Sequence, residues 1–143
     1  MEEKQLDLNI FDLLSRKQIL AHKTMENRWN EQSNIQISHS EWVIIDRLYE
    51  GGEQTIAEVS KIVEITRQGT HKLINKLEEN LLVVTGKVES NKRNKYVKLT
   101  DLGMACYERN KALKGILEHQ IQHVLGTEQF YKLKEVLADD WGL

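Results

Sequence analysis

Residues 55–100 read TIAEVSKIVEITRQGTHKLINKLEENLLVVTGKVESNKRNKYVKLT, and partway along this stretch helical spacing gives way to strand-like runs. Thr55-Ile56-Ala57-Glu58 has the pattern of a capping box, in which a threonine and the glutamate three residues on satisfy each other's backbone donors. A short helix follows, then a turn near Glu64-Ile65, then a second helix that Thr66 can cap. That second helix is expected to carry Arg67, Gln68, His71, Lys72, Asn75 and Lys76 outward, with Thr70, Leu73, Ile74 and Leu77 on its inner side. Arg, Gln and Asn can bond base edges in a major groove, and lysine reaches phosphates. Two strand-like runs come next, Leu82–Val88 and Asn94–Leu99, joined by the polar Glu89-Ser90-Asn91-Lys92-Arg93-Asn94. Val83, Val84, Val88, Tyr96 and Val97 are strand formers, and a hairpin is the simplest way to join the runs. Its tip and arms carry Lys87, Lys92, Arg93, Lys95 and Lys98. A basic hairpin beside a helix equipped to read bases is a wing, suited to phosphate or minor-groove contact.

Taken alone, the formal net charge of −2 argues against a nucleic-acid partner. Its distribution reverses that. Residues 66–98 hold eight Lys/Arg against three Asp/Glu, a local +5 that leaves −7 for the remainder. A local basic footprint is what phosphate binding requires, while net charge tunes solubility and association. With 143 residues, 40% hydrophobic and 29% charged, the chain fits one soluble domain with a real core. It has no apolar run long enough to span a membrane and no signal-peptide pattern after Met-Glu-Glu-Lys. A single cysteine cannot form an internal staple, so a cytoplasmic location is the default.

Outward from the decisive stretch the pattern is helical on both sides, with no proline to interrupt it. Leu6, Ile10, Leu13, Leu14, Ala21, Met25 and Trp29 mark a helix from about Leu6 to Gln32. Ser38 and Glu41 form a second capping box before a helix with Trp42, Ile45, Leu48 and Tyr49 on one side, and Gly51-Gly52 ends it. Thr100 is expected to cap a long helix running to Leu125. Gly126 stops that helix, and Thr127 is expected to cap the last one, which carries Phe130, Leu133, Val136, Leu137 and Trp141. The fold class is mostly α with a small β-wing: a winged helix-turn-helix flanked by N- and C-terminal dimerisation helices. One domain spans 1–143, with dimerisation helices in 1–37 and 104–143 and the DNA-binding lobe in 38–103. The terminal helices carry more apolar surface than the small lobe needs, so they imply a two-fold homodimer.

The residues resemble the multiple-antibiotic-resistance-regulator (MarR) family of bacterial winged-helix repressors. The motifs are Glu58-Val59-Ser60, Val63-Glu64-Ile65-Thr66 and Leu73-Ile74-Asn75-Lys76-Leu77-Glu78, then Arg93 seven residues before Thr100, and Leu99-Thr100 with Leu102-Gly103. The chain departs from the family at Asn91, where an aspartate usually precedes the wing arginine, and at Thr85, where a wing-base arginine usually stands. It also has Leu81 in place of the glycine after the recognition helix, and Asn80 is expected to take over the left-handed conformation. The resemblance implies a homodimeric repressor on double-stranded DNA with a near-palindromic operator, released by a small-molecule effector. The DNA-facing set is then Thr66, Arg67, Gln68, His71, Lys72 and Asn75, with Lys76 toward the backbone. Ser60 and Lys61 contact phosphate, and Lys92, Arg93, Asn94 and Lys95 form the wing contact.

Three features could carry a signal. His119 and His123 have metal-ligand spacing, yet one or two further ligands would have to arrive from elsewhere, and two polar histidines on a dimerisation helix is the preferred reading. Cys106 reads as a small buried hydrophobe rather than an activated thiolate. His22, Met25, Trp29, Trp42 and Tyr49 could line an effector pocket, though Trp and Met at helical spacing are more often core. No cofactor is expected. Nucleophile elbows, phosphate-cradling glycine loops and Cys–His arrangements are all missing from the sequence, so an enzyme is not expected. The rival from another class is a winged-helix protein-interaction module, antirepressor-like, that does not bind DNA.

Overall fold

The computed structural model describes residues 7–63, 65–88 and 91–143; the side chains at 88 and 91–94 lie outside the described residues. In chain order the elements are α1 (Ile10–Gln32), α2 (His39–Gly51), β1 (Gln54–Thr55), α3 (Ile56–Val63), α4 (Arg67–Glu79), β2 (Val83–Val88), β3 (Asn91–Leu99), α5 (Asp101–Leu125) and α6 (Thr127–Ala138). They fall into two compact units, Met1–Glu108 and Arg109–Leu143, with the division inside α5.

Helix starts follow the sequence closely because side-chain caps are local. Ser38 Oγ accepts from Glu41 N while Glu41 Oε1 accepts from Ser38 N, completing the expected capping box of α2. Thr55 Oγ1 accepts from Glu58 N at 3.1 Å, and Thr66 Oγ1 accepts from Gly69 N at 3.0 Å. For α1 the structure shifts the start. Leu6 lies outside the described residues, and Asn9 caps the helix by accepting from Asp12 N, so it opens at Ile10.

The core of the first unit is built by Ile44, Ile45 and Leu48 of α2, Val59 of α3, Ile74 and Leu77 of α4, and Val83, Val97 and Leu99 of the sheet, all buried. Trp29 seals α1 against it. Its ring meets Trp42 edge-on at 4.9 Å between centroids, and its indole N–H donates to Ile35 O at 2.7 Å. The sheet is antiparallel in the order β1-β3-β2. The sequence reading contained no β1; two residues suffice because Gln54 and Thr55 pair with Val97 and Tyr96 of β3. β3 starts at Asn91 rather than Asn94. Across the hairpin Gly86 faces Tyr96, whose ring sits where a Cβ would be, so the glycine gives the tyrosine its place.

The end of α4 corrects a second expectation. Asn80 keeps φ −84, and Leu81 itself takes the left-handed conformation with φ 62. Leu81 N donates to Glu78 O and Leu82 N to Leu77 O, which is the Schellman arrangement with a leucine in the place of glycine. Leu82 and Leu77 are fully buried, and this burial holds the turn although Leu81 resists it. Thr100 then ties the turn to α5: its N–H donates to Leu82 O, its hydroxyl donates to Leu81 O, and its oxygen accepts from Gly103 N. Gly103 is needed here, because a Cβ would stand 2.2 Å from Leu82 O.

In the second unit, Gly126 with φ 86 separates α5 from α6. Gly126 is the N-cap, and no side chain caps the helix; Thr127 is already inside it and accepts from Gln122 Nε2, contrary to the expected cap. Trp141 lies beyond the end of α6 at Ala138, donating from its indole to Val136 O. Lys134 joins the two helices through Glu118 at 2.8 Å, and this carboxylate raises the lysine's pKa above its ordinary value.

Two outcomes test the Leu81 turn by urea unfolding. Leu81→Gly removes a left-handed penalty of about 1–2 kcal/mol and adds chain entropy of about 0.5–1 kcal/mol, so the unfolding free energy should rise by a net of roughly 0.5–1 kcal/mol and the midpoint with it. Leu81 is 68% exposed, so little packing is lost. A lowered midpoint would contradict the strain argument. Gly103→Ala should instead destabilise by about 1–3 kcal/mol, since the backbone carbonyl of Leu82 has to move; an unchanged midpoint would show the junction to be pliable.

Candidate nucleic-acid interface

α4 presents two ridges of side chains at four-residue spacing, Arg67–His71–Asn75 and Gln68–Lys72–Lys76. All six are exposed, together with Thr66, while Thr70, Ile74 and Leu77 are buried and Leu73 is half-buried. The expected division of the helix into an outward polar face and an inward apolar one is therefore observed. Thr70 satisfies its buried hydroxyl by donating it to Thr66 O at 3.0 Å.

Two candidates on this side have other commitments. Ser60, on α3, donates its hydroxyl proton to Ile65 O at 2.9 Å. In this geometry the Ser60 hydroxyl proton is engaged in holding the turn between α3 and α4, a commitment that a phosphate contact would have to replace. Lys61 beside it is exposed. Glu64, the other residue of the expected turn, lies outside the described residues. Lys76 places its ammonium 3.4 Å from Oε1 of Glu41 on α2, a carboxylate with no exposed side-chain surface. Sequence alone gave Glu41 only a capping role, because its partner is remote in the chain.

The hairpin adds a feature that its strand pattern did not disclose. Register pairs Val83 with Leu99, Thr85 with Val97 and Lys87 with Lys95, and alternation puts these three pairs on one face. That face begins as buried core at Val83 and Leu99 and ends as two exposed lysines directly opposite each other. Like charges in such a cross-strand pair are unfavourable on their own and are relieved by an anion. The same face meets the recognition helix: Glu78 Oε2 accepts from Thr85 N at 3.1 Å and from its hydroxyl at 2.6 Å. Thr85, standing where the family has an arginine, thus still connects wing and helix. Lys87, one of the basic residues expected on the hairpin, belongs beside Lys95 in the candidate interface, a pairing that only the register identifies. The side chains of Lys92, Arg93 and Asn94 lie outside the described residues.

The five candidate effector residues divide into separate groups. Trp29 and Trp42 pack together in the core. His22 stacks on His39 with centroids 3.5 Å apart, and Met25 is half-buried on α1. Tyr49 stacks on Tyr107 at 3.7 Å and donates to Glu108, which raises its pKa above 10.0 because the hydroxyl proton is held by a carboxylate. Cys106 is buried. His119 and His123 are exposed on α5, and no cluster of three potential metal ligands occurs among the described residues.

Residues 37–103 match the winged helix DNA-binding domain family. A helix-turn-helix-type transcriptional regulator of Neisseria gonorrhoeae, FarR, is 32% identical over 108 residues, covering 76% of this chain and 73% of that protein. Among solved structures, wild-type MarR from Escherichia coli in its apo form superposes with a TM-score of 0.78 at 17% identity, covering 91% of this chain and 95% of that one. NadR in complex with 4-hydroxyphenylacetate has a TM-score of 0.64 at 26% identity, with 96% of each chain covered.

The link between helix and wing is testable without DNA. Thr85→Val keeps the shape and the backbone donor but removes the hydroxyl bond to Glu78, so unfolding free energy should fall by about 1 kcal/mol. Combined with Glu78→Gln the two losses should be non-additive; additivity in urea titrations would mean that the bond contributes nothing.

Proposed function

Because the chain belongs to the MarR family of winged-helix DNA-binding transcriptional regulators, we propose that it acts as a homodimeric repressor on a near-palindromic operator in the cytoplasm. The observation that carries this reading is the pairing of an exposed, base-reading face on α4 with opposed lysines on the wing face that meets it. Arg67, Gln68, His71 and Asn75 face the major groove, and Thr66 and Lys72 stand at its edge. Lys61, Lys87 and Lys95 meet phosphates, with Lys92, Arg93 and Asn94 assigned to the wing contact from sequence. No catalytic step forms part of this reading. Among the described residues no helix is long and apolar enough to cross a membrane.

Exposed apolar side chains support self-association. On α1 these are Ile10, Phe11, Ile19 and Leu20; on α5 and α6 they include Ile116, Ile121, Val124, Val136 and Leu137. A dimer places two recognition helices about 34 Å apart, one turn of DNA. Release by a small aromatic acid is the regulatory part of the proposal, supported by NadR and its bound 4-hydroxyphenylacetate. The partly exposed Tyr49–Tyr107 stack on this chain offers aromatic surface for such a ligand.

The test is fluorescence anisotropy on DNA from upstream of the protein's own gene and on shuffled DNA across a salt series. Selective binding that weakens steeply with salt is expected. Arg67→Ala and Gln68→Ala should each cost about 1–3 kcal/mol on the selected site and much less on shuffled DNA. Equal losses on both would remove base reading from α4. Light scattering should return roughly twice the 16.7 kDa chain mass, and a monomer at micromolar concentration would end the dimer proposal.

A further inference from the structure

Glu41 is a carboxylate placed where the fold gains least from a charge. Its side chain has 0% exposure, and its Oε1 receives both Ser38 N at 3.3 Å and the Lys76 ammonium at 3.4 Å. Its Oε2 is also buried and has no hydrogen-bond partner among the described residues. Taking a charge out of water is costly unless an opposite charge compensates it, and removing the partner from a buried pair leaves that cost exposed. Lys76 is consequently the group on which the buried carboxylate depends. The lysine side chain is 56% exposed and ends the ridge Gln68–Lys72–Lys76 on the face that meets DNA. Nothing in its position on the helix prevents it from reaching a phosphate; Glu41 does.

Resting on the reading of α4 as the DNA-facing helix, we propose that Glu41 sets the sequence-independent part of DNA affinity by withholding Lys76 from the phosphate backbone. Phosphate contacts are the part of DNA binding that is blind to sequence. A lysine kept on an internal carboxylate subtracts one such contact from each protomer, on every sequence alike. It leaves the base contacts of Arg67 and Gln68 in place. The same pair fixes α4 against α2, so the helix that reads bases is anchored by an interaction that contributes no affinity of its own for DNA. Binding to every duplex is thereby lowered by the same factor, relative to a helix with all three cations of α4 available, and the ratio of operator to background is left to the base contacts.

Glu41→Gln is the discriminating variant. Glutamine at this position still completes a capping box with Ser38, so the helix start is preserved while the charge is lost. The protein is used as the full chain, on a fluorescein-labelled duplex of random sequence, with binding measured across a salt series. In Glu41→Gln, log K against log salt should steepen by about 0.9 per protomer, and random-DNA binding should tighten roughly eightfold per protomer at 0.1 M salt. Glu41→Gln/Lys76→Gln should return to the wild-type slope, and Lys76→Arg, which preserves the pair, should keep it. An unchanged slope in Glu41→Gln overturns the proposal, as does a Lys76→Gln slope shallower than wild type, which would place Lys76 on phosphate already. If Glu41 only supported the fold, its loss would weaken binding at all salts with no change of slope. A urea double-mutant cycle in the absence of DNA reads the pair directly. Non-additivity on the order of tenfold in the unfolding constant supports the tether, and additivity overturns it. Should the wild type fail to bind any duplex at low salt, the DNA-facing reading of α4 is lost and the withholding role falls with it, whatever the cycle shows.

Discussion

The placement of α4, the hairpin and the start of α5 depends on the backbone of Leu81 and Leu82. Within these two residues α4 stops, β2 begins and the N-terminus of α5 is tied down. Leu82 N closes on Leu77 O, its carbonyl receives Thr100 N, and Leu81 O receives the Thr100 hydroxyl. Gly103 comes close enough to Leu82 O that no other residue fits without movement. The recognition helix, the wing and the start of α5 therefore cannot reorient separately. The left-handed conformation of Leu81 costs free energy, and it persists because the neighbouring Leu82 is fully buried and specifies the path of the chain.

Around that junction, polar bonds determine how the two DNA-facing elements are aimed. Glu78 holds Thr85 at the base of the wing, and Glu41 holds Lys76 on the other side of α4. These two acids differ in their surroundings. Glu78 is exposed and its bonds compete with water, so it sets a direction more than it adds stability. Glu41 is buried, and breaking its pair exposes the full desolvation cost of its charge. Both contacts fall in the last turn of α4, so together they fix its C-terminal end against α2 and the hairpin.

Helix boundaries and the outward face of α4 were readable in the sequence because caps and periodicity are local. Ser38, Thr55 and Thr66 each bond a backbone N–H three residues away, a distance the sequence displays directly. What stayed hidden was either long-range or decided by burial. Asn80 is the better left-handed residue by propensity, yet the position is taken by Leu81, because the register of Leu82 against Leu77 determines which residue turns. Lys87 could not be matched to Lys95 without the hairpin register, which contains a bulge between Lys87 and Val88. Thirty-five positions separate Glu41 from Lys76, and the capping signal fully accounted for the glutamate. Helical spacing also could not tell a core Trp29 from an exposed Tyr49 within the aromatic group chosen for an effector pocket.

The charge of the chain can now be interpreted by position. A net −2 gives no general attraction to a polyanion, so affinity has to come from local placement. On the wing, Lys87 and Lys95 are set opposite each other although each repels the other, which concentrates positive potential at the hairpin. On α4, Lys76 is treated in the opposite way and is neutralised from inside the protein. On the proposed reading, phosphate attraction then rests on the hairpin, and α4 keeps fewer free cations. On the same reading, the buried carboxylate of Glu41 lowers the sequence-independent part of DNA affinity and leaves the base contacts as they are.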